Sequence, residues 1–285
     1  MGDKYSAVWV SHSSISDWLR CPQAYYLQNV YRDPKTGHKI RITRPSLVLG
    51  SAVHEVLESI SVLPKETRFA DSLVIKLEDV WQKYSGKKGG FTDPDNEYRY
   101  KARGQEMLRR VMNKKEILSG SAVKIKEDLP HFWLSDEDNI ILCGKIDWLE
   151  YLPDTDSVHI IDFKTGKSEE DSESLQLPIY HLLVNNCQKR NVTKASYWYL
   201  ETQDQLTEKK LPDLEESKQK VLKVAREIKI ARQLNRFKCP EGESCRFCQP
   251  LLNVTKGLGE LVGTDDYGSD IYVLPDVDEK ESFIL

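Results

Sequence analysis

The chain alternates between two hydrophobic periods, and the switch from one to the other predicts its elements. Val53, Val56, Leu57 and Ile60 recur at helical spacing, so an amphipathic helix is expected that opens at Gly50. Ile140-Ile141-Leu142 and Val158-His159-Ile160-Ile161 are continuous apolar runs rich in β-branched residues. Between them Pro153-Asp154-Thr155-Asp156-Ser157 is dense in turn formers, which predicts a β-hairpin of strands over 139–152 and 158–164 centred near residue 154 or 155. Strands are also expected over 122–133 and 195–202. Ser13 or Ser14 is expected to cap a short first helix carrying Trp18 and Cys21. Residues 64–118 read as mainly helical, broken at Gly86-Lys87-Lys88-Gly89-Gly90, and further helices are expected at Gln176 and over 214–238.

The hairpin carries the first candidate chemistry. Counting outward from the turn places Asp147 opposite Asp162 to within a residue, and opposed residues of an antiparallel pair share a face. Alternation then puts Lys164 on the face of Asp162 and turns Phe163 toward apolar packing. Two carboxylates beside one ammonium can hold a divalent cation and activate a water. A surface Asp–Lys pair is the plainer reading, but the flanking sequence is too apolar for a solvated edge, and a buried acid needs a compensating partner. His54 falls at the edge of its helix's buried stripe, where an imidazole completes an O/N ligand set suited to magnesium or manganese. Gln176 and Tyr180, four apart, share one helical face and can address a phosphate or Lys164. Pro178 requires that helix to begin close by.

The cysteines carry the second. Of six, Cys21 stands alone before Pro22, while Cys239, Cys245 and Cys248 form a Cys-x5-Cys-x2-Cys trio. Neither a signal peptide nor a membrane-spanning run is recognised, which points to the cytoplasm and to metal ligation rather than disulfides. Spacing leaves zinc and an iron–sulfur cluster both open. Cys143 and Cys187 read as small apolar fillers.

Gly144-x-x-Asp147, Asp162-Phe163-Lys164-Thr165-Gly166, Gln176-x-x-x-Tyr180 and Gly50-x-x-x-His54 together resemble the PD-(D/E)xK nuclease superfamily in its RecB-like branch. The resemblance implies an α/β fold with a restriction-endonuclease-like core, a central mixed sheet flanked by helices. It implies one nuclease domain over 1–254 with a helical insertion at 64–118. Asp147, Asp162 and His54 would then hold magnesium or manganese, Lys164 would position the attacking water, and Gln176 and Tyr180 would follow on the next helix. Ser13-x-Ile15-x-x-Trp18-x-x-Cys21-Pro22-x-x-Tyr25 is similar to the N-terminal element of a subset that includes the AddB nuclease and the CRISPR adaptation exonuclease. That likeness implies a 4Fe-4S cluster on Cys21, Cys239, Cys245 and Cys248, joining the N- and C-terminal segments. The implied activity is a deoxyribonuclease, an exonuclease on single-stranded DNA or DNA ends in CRISPR adaptation, recombination and repair, or phage DNA processing. Its partners would be DNA and a helicase or CRISPR integrase complex. The alternative is an iron–sulfur or zinc-stapled DNA-end-binding subunit, active only inside such a complex.

Charge then modifies the picture. The 285 residues, 39% hydrophobic, can bury one sizeable core, and the net charge of −4 is unfavourable for a DNA enzyme. Residues 259–285 hold eight acids against Lys280, a local −7 that leaves about +3 for the rest. Arg99, Lys101 and Arg103, and Lys223, Arg226 and Lys229 on the basic helix, are the candidate phosphate contacts. Residues 255–285 are expected to form a flexible acidic tail that competes with phosphate, unless Ile271–Leu274 docks. With no Walker A sequence, any motor is a separate chain.

Overall fold

The computed structural model describes residues 3–275. From the N-terminus, β1 (Val8–Val10), α1 (His12–Arg20), α2 (Pro22–Tyr25), β2 (Ile40–Ile42) and α3 (Pro45–Ser61) come first. The helices α4 (Leu73–Trp81) and α5 (Pro94–Asn113) precede four strands, β3 (His131–Ser135), β4 (Ile140–Cys143), β5 (Trp148–Leu152) and β6 (Ser157–Lys164). Then follow α6 (Gln176–Cys187), β7 (Val192–Tyr199), β8 (Thr207–Lys209) and α7 (Leu214–Leu234). The last are α8 (Gln249–Thr255), β9 (Glu260–Thr264) and β10 (Asp270–Val273). These residues form two compact units: the first takes residues up to His12, Leu49–Trp81 and Lys101–Glu227, the second Ser13–Val48, Gln82–Tyr100 and the chain from Ile228 on.

The first unit holds two sheets where one was expected. A four-stranded mixed sheet has the order β5-β6-β7-β8, and a three-stranded sheet the order β1-β4-β3. The predicted strand over 139–152 breaks at Gly144–Asp147, and its halves, β4 and β5, join different sheets. At the start of the break Gly144 lies close against α6, where a Cβ would stand 3.0 Å from Leu183 Cδ1. The predicted 122–133 strand reduces to β3, with Ala122 making only an isolated bridge to Glu150. The hairpin itself forms as expected: Trp148 pairs with Ile161 and Leu152 with Ser157 around a turn at Pro153–Thr155. Every residue of β6 but Lys164 is buried, because β6 lies between an antiparallel neighbour and the parallel β7, reached through α6.

The helix of His54 starts at Pro45, five residues before the expected Gly50. Proline suits a first turn, where its missing N–H would have no partner. Gly50 sits inside the helix because it is a point of close approach, where a Cβ would stand 3.2 Å from Thr165 Oγ1. Cys21 follows the first helix rather than lying in it and occupies the cap position of α2, which opens on Pro22.

The second unit contains a sheet ordered β2-β10-β9, with β10 parallel to β2 and antiparallel to β9. Its core gathers Cys21, Leu27, Ile40, Cys245, Cys248, Leu251, Val254 and Leu274. The expected flexible tail is therefore corrected as far as residue 275: it forms β9 and β10, and three of its four acids there are paired. Glu260 meets Lys87 at 2.9 Å, Asp265 meets Arg41 at 3.1 Å, and Asp270 meets His38 at 2.9 Å. Residues 276–285, with four of the eight acids, lie outside the described residues. Truncation after residue 255 should lower the melting temperature, since it strips β10 from β2 and takes Leu274 out of the core, about 2 kcal/mol for that side chain alone. A truncated protein melting with the full chain would contradict this packing.

Candidate active site

Register and helix placement bring the expected groups together in the first unit. The β5–β6 pairing continued one residue beyond Trp148–Ile161 sets Asp147 opposite Asp162. Asp147 Oδ2 accepts from the Phe163 N–H at 3.0 Å and lies 3.1 Å from His54 Nε2. The same Nε2 is 3.0 Å from the Phe163 carbonyl, and Nδ1 is 2.9 Å from the Gly50 carbonyl. Both ring nitrogens thus face acceptor oxygens, the surroundings of an imidazolium. On the next pair of side chains, Lys164 Nζ is 3.0 Å from Asp162 Oδ2 and 2.9 Å from Glu170, and it donates to Gln176 Oε1. Gln176 Nε2 is 3.2 Å from Asp162 Oδ1 and from the Tyr180 hydroxyl. Pro178 is accommodated because α6 begins at Gln176. Lys164 also lies 4.8 Å from the centroid of the Tyr197 ring.

These contacts set the charges. Burial disfavours an ionised His54, but the Asp147 carboxylate and the Gly50 carbonyl overcome it and raise the imidazole to about 9. Burial first, then the charge of Asp147, push Asp162 up to about 7. Lys164 rises despite its burial because Asp162 and Glu170 hold its proton. Asp147 is held down against burial by His54 and the Phe163 N–H. Asp162 Oδ2 is buried and, although Lys164 stands beside it as a charge, no donor is aligned to it as a hydrogen bond. Such an oxygen fits a cation.

Glu170 and the Phe163 carbonyl are the site groups that sequence reasoning missed. Glu170 lies in an irregular loop after β6 with no periodicity to mark it, and a backbone oxygen carries no residue signature. His54, Asp147 and Asp162 are not gathered as tightly as the cysteines, because Asp162 is turned toward Lys164 and Gln176. Among the described residues, the one group of three or more His, Cys, Asp or Glu whose ligand atoms all lie within 4.8 Å is Cys21, Cys239, Cys245 and Cys248.

That quartet lies within the second unit. Trp18 meets Tyr25 edge-on at 5.7 Å and Phe237 stacks on Tyr25 at 6.2 Å, so the aromatic positions that flank Cys21 in sequence pack on one another. Burial pushes the Cys21 thiol up to about 11, a cost that a bound metal removes by taking the thiolate. Cys143, in β4, and Cys187, at the end of α6, are outside the group.

The candidate phosphate contacts divide. Lys101 pairs with Glu78, Arg103 makes a two-pronged contact with Glu201 at 3.1 and 2.7 Å, and Arg226 meets Asp138 at 2.7 Å. These three are members of local ion pairs, because carboxylates from other elements lie opposite them. Arg99 and Lys223 are exposed, and Lys229 is half-buried.

No helix of the described residues is long and apolar enough to cross a membrane. No curated protein matches the chain. The family profile of the PD-(D/E)XK nuclease superfamily matches residues 9–250, which include every residue of both sites. Members of that superfamily are generally nucleases and typically use divalent metals. With a match over most of its length and the acid–acid–lysine set on one hairpin, the chain belongs to the PD-(D/E)XK nuclease superfamily.

Proposed function

We propose that the protein is a magnesium- or manganese-dependent deoxyribonuclease of the RecB-like branch, acting as an exonuclease on single-stranded DNA or DNA ends. The observation that carries this reading is the convergence of His54, Asp147 and the Phe163 carbonyl beside the Asp162–Lys164 pair. Asp147, Asp162 and His54, with the Phe163 carbonyl, would hold the metal, which when bound supplies a Lewis acid for the phosphate and lowers the pKa of water. Lys164 keeps its proton, so it acts as a donor and a positive charge rather than as a base. Glu170 and Gln176 fix where that ammonium points, and Tyr180 braces Gln176. Incubation of the purified protein with end-labelled single-stranded DNA should give cleavage with manganese or magnesium and none with EDTA. Cleavage that survives exhaustive chelation would overturn the reading.

The same geometry predicts a pH-dependent response to metal. His54 has a folded-state value above its unfolded one, so its stabilising charge is fully present below about 6.5 and is lost as pH rises through about 9. Asp162 is also raised, to about 7; its ionised form is disfavoured in the fold, so it too costs stability as pH rises. To serve as ligands, His54 would have to give up its proton and Asp162 would be ionised, with a divalent cation offsetting its charge. The rise in melting temperature with manganese should therefore be larger at pH 8 than at pH 6, and an equal rise would count against these ligands.

For the cysteine quartet the resemblance supports a 4Fe-4S cluster. Zinc is the second reading, favoured by the 4.8 Å limit on the sulfur separations: tetrahedral zinc with bonds of about 2.3 Å needs closely spaced sulfurs, whereas a four-iron cluster holds its thiolates farther apart. Metal analysis of anaerobically purified protein, with its visible absorption, separates the two.

A further inference from the structure

The second unit contains a cavity of about 630 Å³ at the edge of its sheet. Its chemistry begins with Lys39-Ile40-Arg41-Ile42, where alternation sends Ile40 and Ile42 into the core and leaves Lys39 and Arg41 on the other face. Arg32, from the segment before β2, joins them in the lining. Across the cavity is the turn between β9 and β10. Asp265 Oδ1 accepts from the N–H groups of Tyr267 at 2.9 Å and Ser269 at 2.8 Å, and Gly268 takes a φ of +73°. Asp265 Oδ2 meets Arg41 Nε at 3.1 Å. The turn is thereby tied to β2, and its tip presents Tyr267 with 81% of its surface exposed.

The charges in this cavity are unbalanced. Arg41 has Asp265, and His38 has Asp270, but Arg32 and Lys39 have no carboxylate within ion-pair distance among the described residues. Burial, then the guanidinium groups of Arg32, Arg41 and Arg232, push Lys39 below its usual range, with Asp265 only weakly opposing. Arg32 and Lys39 add positive charge beyond the pairs that Asp265 and Asp270 make, and among the described residues that surplus favours an anion. The exposed ring at the rim adds a platform for an unpaired base, and the pairing of basic groove with aromatic platform is how single strands are held without sequence preference.

We propose that this cavity is a single-stranded nucleic-acid subsite, taking a backbone phosphate on Arg32, Lys39 and Arg41 and stacking an unpaired base on Tyr267. It rests on the nuclease reading and adds affinity rather than chemistry. The test is fluorescence anisotropy with labelled oligo(dT) and a duplex of equal length, in EDTA, across a salt series. Tyr267→Ala should weaken oligo(dT) binding about tenfold, leave duplex binding unchanged, and be restored by Tyr267→Phe. Arg32→Gln with Lys39→Gln should weaken both and make the salt dependence shallower by about one phosphate contact or more. All three are open to solvent in whole or part, so unchanged melting temperatures are expected, as is unchanged cleavage at saturating DNA. Wild-type affinity and salt slope in all variants, with the parent binding normally, would overturn the subsite while sparing the nuclease reading. A parent protein that neither binds nor cleaves DNA would remove both.

Discussion

Asp162→Ala and Lys164→Ala should each reduce metal-dependent cleavage by about three orders of magnitude or more, equivalent to several kcal/mol of lost charge stabilisation. The magnitude follows from where the groups stand. Asp162 is 2% exposed, shares its oxygens between Lys164 and Gln176, and faces Asp147 across the hairpin. Its removal takes away the second acid while leaving the apolar packing of β6 in place. The fold should not suffer, because an acid raised to about 7 by burial and by Asp147 is a net cost to the metal-free protein at neutral pH. Asp162→Ala should thus melt at or above the parent temperature and lose its response to manganese. Lys164→Ala instead leaves Asp162 and Glu170 without their shared cation, so a modest loss of stability is expected beside the loss of rate. Glu170→Gln should fall between, since Gln176 and Asp162 still hold the ammonium. Single-turnover cleavage, with circular dichroism on the same preparations, checks all three; retained cleavage by rigorously purified Asp162→Ala would remove the assignment.

Cys21→Ser should lose its bound metal as completely as Cys248→Ser does, and both should melt well below the parent. The four sulfurs lie within 4.8 Å of one another, so one missing thiolate opens the site. Cys21, Cys245 and Cys248 are also part of the second unit's core, beside Leu27, Ile40, Leu251 and Leu274, and Cys239 packs against it. More than two hundred residues separate Cys21 from the trio, and in the cross-link model closing such a loop removes on the order of 5 kcal/mol of unfolded-chain entropy. Cys187→Ser, outside the group, should change neither metal content nor melting temperature. Full metal occupancy in the Cys21 variant would mean that the trio forms a site by itself and the chain ends are not stapled.

How much of this was legible in sequence depended on the range of the interaction involved. The hairpin and its register were readable because a turn-former cluster between two apolar runs is a local signal, and counting from it put Asp147 opposite Asp162. The start of α6 was readable because Pro178 can be tolerated only in a first turn. The start of α3 was misread: Gly50 has the look of a boundary, but its small size serves a contact with Thr165, more than a hundred residues away. The break at Gly144–Asp147 was hidden for a similar reason, since the strand changes sheets because of what β1, β3 and β6 offer as partners.

By itself, the sequence determined the chemistry available: two acids and a lysine on one strand pair, a histidine on a helix, and four cysteines at the two ends. Period-2 and period-3.6 patterns and residue identity are local properties, and they specify which groups exist and which face they share. Tertiary structure alone decided which groups meet. It placed Glu170 on Lys164, aimed the Phe163 carbonyl at His54, and closed the thiols into one group. It also paired Lys101, Arg103 and Arg226 with carboxylates that a charge count treats as distant, and built the acidic segment into a sheet through Arg41 and His38. Charges that are remote along the chain neutralise one another at about 3 Å, so a net charge per segment says little until the fold has chosen the pairs.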